Sequence, residues 1–195
     1  MLYLHVTHLK SNAMANRFLK ISGDYTNWNI YRKSVIISDV TEMFIRRAME
    51  SNTRTSDQMR QAARSCKQNI VEGISDSTVS VEMCIKLLGV AHGSARELRE
   101  DYGDFLRQHD MVVWQKEDER AQRTRSYCVH NDNPAEFVAK CKERNNETVA
   151  NIMLIQLYQI DSMLAGALKR IEAEFLASGG VRESMSQARR NQRGY

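Results

Sequence analysis

SDQMRQAARSCKQNIVEGISDSTVSVEMCIKLLGVAHGSARELREDYGDFLRQH, residues Ser56–His109, is the stretch whose reading decides the fold. In its second half Val81, Cys84, Leu88, Ala91, Ala95, Leu98, Tyr102 and Phe105 recur at alternating steps of three and four. That is a heptad seam along one face of a helix, and a strand, with its period of two, cannot produce it. The first half sets Met59, Ala62, Ala63, Cys66, Ile70 and Ile74 on one side and Arg60, Arg64 and Lys67 along another, which predicts a preceding amphipathic helix. Between them Gly73 supplies a stop, and Ser75, Asp76, Ser77 and Thr78 supply a new cap with Glu82 in reach. Counted from Ser80, the later helix runs to about His109 and spans about 45 Å, which suits a bundle edge or an oligomer better than one small globule. Its glycines, Gly89, Gly93 and Gly103, read as positions of close helix approach.

Upstream, Asn27 can cap a helix from Trp28 in which Tyr31, Val35, Ile36, Val40, Met43 and Phe44 form the apolar side. Ser51–Thr55 is short and polar, with Ser56 or Asp57 as the next cap, so the first two helices are antiparallel neighbours. Downstream, Met111–Asn133 loses the seam, is charged from Lys116 to Arg125, and reads as an excursion between helices. Asn133 followed by Pro134 then starts a short helix over Ala135–Arg144. A last long helix carries Ala150, Leu154, Leu157, Asp161, Leu164, Leu168, Ile171 and Phe175 as its seam and ends at Gly179 and Gly180. The expected architecture is all-α: an antiparallel up-down four-helix bundle over 25–178, with an insertion at 111–144 that holds a short helix. A flexible segment, 1–24, precedes it, and a basic C-terminal tail, 179–195, follows. Ser11, Asn12 and Ala13 before Met14 resemble a cloning scar, and Met14 as the initiator is a comparable alternative.

Composition agrees with long helices: one proline, nine glycines and 27% charged residues in 195. The length suits one core. A net charge of +4 is compatible with anionic partners without requiring them. Cys66, Cys84, Cys128 and Cys141 include no C-x-x-C pair, and Cys66 and Cys84 fall on apolar faces, so they read as small hydrophobes of a reduced, cytoplasmic protein. No secretory signal and no membrane-length apolar run is present, which predicts no membrane partner.

No arrangement of residues specifies a reaction. A di-iron bundle needs Glu-x-x-His on two helices, and no such pair exists. Glu97, Glu100, Asp101 and Asp104 interleave with Arg96, Arg99 and Arg107, the pattern of a solvated ion-pair face. With no Gly-rich phosphate loop and no nucleophile motif, the chain reads as a non-enzyme with no cofactor and no metal. Asn69 and Glu72, near the apolar side of the second helix, read as a structural polar pair that fixes helix register. Asp161, polar within a seam, has two readings: it faces a polar partner across the bundle, or it lines a solvent-filled channel in an oligomer. The remaining signal is basic. Arg46, Arg47, Arg54, Arg60, Arg64 and Lys67 stand against Glu50 and Asp57, a patch of net +4, and Arg189, Arg190 and Arg193 add a second cluster. Phosphate binding through charge is the function this pattern suggests, although no aromatic residues are interleaved for base stacking.

Gln58-Met-Arg-Gln-Ala-Ala-Arg-Ser-Cys-Lys-Gln-Asn-Ile-Val-Glu-Gly73 and Ala91-His-Gly-Ser-Ala-Arg-Glu-Leu98 resemble the second- and third-helix signature of the 23S rRNA intervening-sequence four-helix-bundle family. Asp101-Tyr-Gly-Asp-Phe-Leu106, Trp114, the start of the last helix at Glu147–Asn151 and its ending over Phe175–Arg182 resemble, more closely, the branch called four helix bundle suffix domain proteins. The resemblance covers about Tyr25 to Arg190. It implies an antiparallel four-helix bundle and a homopentamer. It also implies kinship with the accessory proteins of diversity-generating retroelements, whose partners are a reverse transcriptase and nucleic acid. The expected function is therefore a non-catalytic homo-oligomeric bundle whose basic surface binds RNA, DNA or a nucleic-acid enzyme. The alternative is an assembly protein without nucleic-acid affinity.

Overall fold

A computed structural model describes residues 25–49, 53–77, 80–177 and 190. The expected flexible segment 1–24, the Gly179–Gly180 stop and the tail apart from Arg190 lie outside the described residues. Six α-helices follow a 3-10 turn at Tyr25–Asn27: α1 Asn29–Ala48, α2 Arg54–Asp76, α3 Val81–Gln108, α4 Glu119–His130, α5 Pro134–Lys142 and α6 Asn146–Ala177. No strand occurs among the described residues, and none of their helices is long and apolar enough to cross a membrane.

The central pair forms as the seams require. All eight seam residues of α3 and all six apolar positions of α2 are buried. Four boundaries differ from expectation. Trp28, rather than Asn27, holds the cap position of α1, and no side chain caps it. Thr53, rather than Ser56 or Asp57, caps α2, its hydroxyl accepting from the Ser56 N–H at 3.2 Å. Ser56 is thereby drawn inside, its own hydroxyl donating to the Thr53 carbonyl at 2.7 Å. Gly73 does not stop α2. It is buried where α2 passes α3, and a Cβ there would lie 3.3 Å from Leu88 Cγ and Cδ2, so the glycine serves close approach rather than termination. The stop falls at Ser77, and Ser80 caps α3 by accepting from the Met83 N–H.

The far end of α3 closes on Asp110, whose φ of 53° is left-handed. The Met111 N–H donates to the Leu106 carbonyl at 2.9 Å and the Asp110 N–H to the Arg107 carbonyl at 3.4 Å. This is the paired bonding of a Schellman stop, and it turns the chain into the insertion. Asn151 of α6, 2% exposed, holds the loop that follows. Its Oδ1 accepts from the Trp114 N–H and its Nδ2 donates to the Val112 carbonyl, both at 2.8 Å.

The insertion contains two helices, not one. Asn133 caps α5 as expected, accepting from the N–H groups of Ala135 and Glu136. Asp118 caps α4, which the charged run concealed. Helix α4 packs on α6, and α5 packs on α1. Together they cover α1 and α6 from outside. Of the expected α1 stripe, Ile36, Val40 and Phe44 are buried and Tyr31, Val35 and Met43 half-buried, while Ile30, Lys33, Ser34, Ile37, Thr41 and Ile45 are buried beyond it. At the centre, Phe44 meets Tyr102 at 5.1 Å and Phe105 at 4.8 Å between ring centroids. The Tyr102 hydroxyl is satisfied by Thr41 Oγ1 at 3.1 Å. All four cysteines are free and buried, and burial first among causes pushes their thiols up, to about 12 for Cys66, Cys84 and Cys128 and about 11 for Cys141.

The α6 seam is rotated from expectation. Ala150, Leu157, Leu164 and Ile171 are buried, but Met153, Ile160 and Ala167 complete the line, while Leu154, Asp161 and Leu168 lie half-buried at its edge.

Candidate nucleic-acid interface

The stripe on α2 begins where α1 ends. Glu42 of α1 lies between two of the predicted cations, with Oε1 2.7 Å from Arg46 Nε and Oε2 2.8 Å from Arg60 Nε. Arg60 also reaches Asp57 Oδ1 at 3.0 Å. The hydrogen bonds from Arg60 and then Arg46 hold the Glu42 carboxyl below the ordinary value, so it is ionised and compensates both cations at neutral pH. One and two turns further along, Arg64 is exposed and Lys67 half-buried, and neither has a carboxylate partner among the described residues. The charge of the stripe that remains available therefore lies at Arg64 and Lys67.

Arg47 faces elsewhere. Its Nε donates to Asn146 Oδ1 at 2.8 Å, and NH1 lies 3.4 Å from the Cys141 and Lys142 carbonyls, so it ties α1 to the junction of α5 and α6. Arg190 is exposed, and Arg189 and Arg193 lie outside the described residues.

The expected Asn69–Glu72 pair does not form. Asn69 is half-buried and donates within its own helix to the Ser65 carbonyl at 2.9 Å and hydroxyl at 3.2 Å, while Glu72 is exposed. Three residues apart on a helix, the two point along neighbouring but different directions, and only Asn69 turns towards α3. There Ser65 accepts from the Ser94 hydroxyl at 2.9 Å.

Asp161 meets polar groups on the neighbouring helix. Its Oδ1 lies 2.6 Å from Arg96 Nε of α3, and His92 Nε2 lies 2.9 Å from the same oxygen but is not aligned to hydrogen-bond it. Burial opposes its charge, yet the Arg96 hydrogen bond and the nearby His92 and Arg99 hold the carboxyl below the ordinary value.

The acidic face of α3 is only partly an ion-pair face. Arg99 pairs with Glu100 and Arg107 with Asp104, but Arg96 is drawn away to Asp161. Asp101 is left half-buried, with Oδ2 covered and without a hydrogen-bond partner. Burial first, then Glu97 and Asp104, push its carboxyl from 3.8 up to about 6. A carboxyl raised in the folded state contributes stability below the unfolded value, and that contribution is lost as pH rises through about 6. Asp101→Asn is therefore expected to raise the thermal midpoint near neutral pH, with the gain closing towards pH 4. Equal midpoints for variant and parent at both ends of this range would contradict it.

Sequence reasoning missed Lys33, which is 7% exposed. Its ammonium donates to the Cys128 carbonyl at 3.1 Å, Gln156 Oε1 at 2.5 Å and Gln159 Oε1 at 2.8 Å, so all three protons are used. Burial lowers its pKa. The donor set is saturated by neutral acceptors from α4 and α6, which makes Lys33 a pin between helices. An apolar helix face gives no reason to expect a lysine inward, and its partners are 95, 123 and 126 residues away in sequence.

No protein-family model, no curated protein and no solved structure matches this chain.

Proposed function

We propose that the chain is a non-catalytic, cytoplasmic helical bundle that self-assembles and offers the α2 stripe to nucleic acid or to an enzyme acting on nucleic acid. The observation that carries the reading is the uncompensated pair Arg64, exposed, and Lys67, half-buried, one turn apart on α2. Base-edge recognition has no counterpart on that face, so affinity comes from phosphate charge, with little sequence preference.

The bundle in this reading runs up-down-up-down through α1, α2, α3 and α6. Each of these packs on two others in a closed circuit: α1 on α2, α2 on α3, α3 on α6 and α6 on α1. Bonds that join opposite running directions support it: Glu42 late in α1 with Arg60 early in α2, and Val112 just past α3 with Asn151 early in α6.

Self-assembly draws support from the outer face of α3. A Cβ at Gly89, Gly93 or Gly103 would meet nothing within 4 Å, so these glycines do not serve packing inside one chain. Val90, 46% exposed, and Met83, 43% exposed, lie close by on the same helix. A second copy is the occupant this face suits, and the resemblance described above makes five subunits the expected number. Light scattering is expected to return a multiple of the 22.5 kDa chain mass, and a single-chain mass at every concentration would contradict it. Anisotropy of a labelled single-stranded RNA tests the binding half, with saturable binding expected in low salt. The competing reading, assembly without nucleic-acid affinity, is favoured by the neutralisation of Arg46 and Arg60 on Glu42 and is the outcome if no RNA binds at any salt.

A further inference from the structure

A cleft of about 560 Å³ opens where α4, α5 and the start of α6 meet, on the insertion and away from the α2 stripe. Three aromatic rings line it, Trp114, Tyr127 and Phe137, with the Tyr127 and Phe137 centroids 5.7 Å apart. Four cations line it as well, Arg120, Arg123, Lys140 and Arg144, against one carboxylate, Glu143. This is the interleaving of rings and positive charge that the stripe lacks, and the linear sequence hides it because the rings come from a loop and two helices.

The cations are of two kinds. Arg120 is held by Asp118 at 2.7 Å and Arg123 by Glu119, whereas Lys140 and Arg144 have no carboxylate partner among the described residues. Two cations already rest on ring faces, Arg120 over Trp114 at 5.0 Å and Lys140 over Tyr127 at 4.2 Å to the centroid. Two polar atoms of the same rings, Trp114 Nε1 and Tyr127 Oη, are covered and without a hydrogen-bond partner. A buried donor left unpaired is costly, and in native proteins it calls for a specific explanation.

The ligand that answers the rings and the open cations carries a planar π face and a small anionic group. An acidic peptide would use the cations and leave the rings idle, and an apolar ligand would do the reverse. We propose that this cleft binds one nucleoside monophosphate unit, its base stacked on the Tyr127 or Trp114 ring and its phosphate held by Lys140 and Arg144. Transfer of the Lys140 ammonium from the ring to the phosphate vacates the face on which the base stacks. The cleft volume lies within the range of small-molecule pockets. The unit is either a free nucleotide or one nucleotide of a single strand. This site shares no residue with the α2 stripe, so either can fail without the other.

The chain has two tryptophans, so Trp28→Phe leaves Trp114 as the only indole reporter. In that background, adenosine 5′-monophosphate and a short single-stranded oligoadenylate are each titrated against the full chain. Quenching of Trp114 by the mononucleotide identifies a free-nucleotide site, and quenching by the oligonucleotide alone identifies a strand site. Lys140→Gln with Arg144→Gln, both on exposed side chains, is expected to weaken either response by about tenfold or more. Adenosine, which lacks the phosphate, is expected to show a comparable loss. Changing Arg60, Arg64 and Lys67 to glutamine is expected to leave the mononucleotide response unchanged, which separates this site from the stripe. No quenching by either probe at millimolar concentration would overturn the proposal, as would displacement by inorganic phosphate that equals displacement by the nucleotide.

Discussion

Replacing Lys33 with methionine is expected to destabilise the fold by about 3 kcal/mol, although methionine is the better core residue by hydrophobicity. The sign follows from what is left behind. Gln156 is fully buried, and without the ammonium its Oε1 loses a donor at 2.5 Å while its Nε2 is already unpartnered. The Cys128 carbonyl loses its donor as well, and with it the tie between α1 and α4. Removing one partner of a buried polar cluster costs more than the cluster contributes, because the survivors stay desolvated. Lys33→Met combined with Gln156→Leu is therefore expected to recover much of the loss, and urea unfolding of parent, single and double variants measures it. A loss below about half a kilocalorie in the single variant would mean that Lys33 is not inside. The pH dependence carries the same signature. Burial lowers the folded-state pKa of Lys33, so between that value and the unfolded one, about 10.4, the unfolded chain binds more protons. Stability from this group accordingly rises with pH across that window, a slope that the methionine variant lacks.

Changing Arg60, Arg64 and Lys67 together to glutamine is expected to weaken RNA and DNA alike, by on the order of ten- to a hundredfold in low salt. The three do not share the effect equally. Arg60 is bound by Glu42 and Asp57, so Arg64→Gln with Lys67→Gln is expected to account for most of it. Fold and assembly are expected to survive, since the pairs lost are exposed ion pairs worth about 0–1 kcal/mol each. If the oligomer is closed and symmetric, each subunit repeats the stripe, and a strand long enough to span two copies gains by avidity, so the defect deepens with strand length. A triple variant that binds as the parent does would remove the stripe from the account.

The central helices were legible because their faces are unambiguous. On α3 every residue of the heptad seam is buried, and no second apolar line competes with it. On α6 two lines compete. Met153, Ile160 and Ala167 form one and Leu154, Asp161 and Leu168 the other, and both are largely apolar because α6 is covered by α1, α3 and α4. The aspartate was the clue that the second line lies at the edge. Helix α4 escaped notice because only Ala121 and Cys128 of its twelve residues are buried, leaving almost no apolar period to read. The Asp118 cap followed by Glu119 was the signal available.

The candidate sites divide the same way. Positions 60, 64 and 67 share a helical face by spacing alone, so the stripe could be read from the sequence. Its partial neutralisation could not, since Glu42 lies on the preceding helix, 18 residues from Arg60. The aromatic and basic cleft and the Lys33 pin each need helices brought together across the insertion, and no local pattern encodes that.

The most direct test of a charge-driven nucleic-acid interface is the affinity of the full chain for a single-stranded RNA measured across a range of salt. If Z phosphates are engaged, log K falls against log salt with a slope of about −0.7Z. A steep fall is expected for the parent, with the slope flattened by about 1.4 when Arg64 and Lys67 are lost. No binding in low salt, or an affinity that does not change with salt, would contradict it.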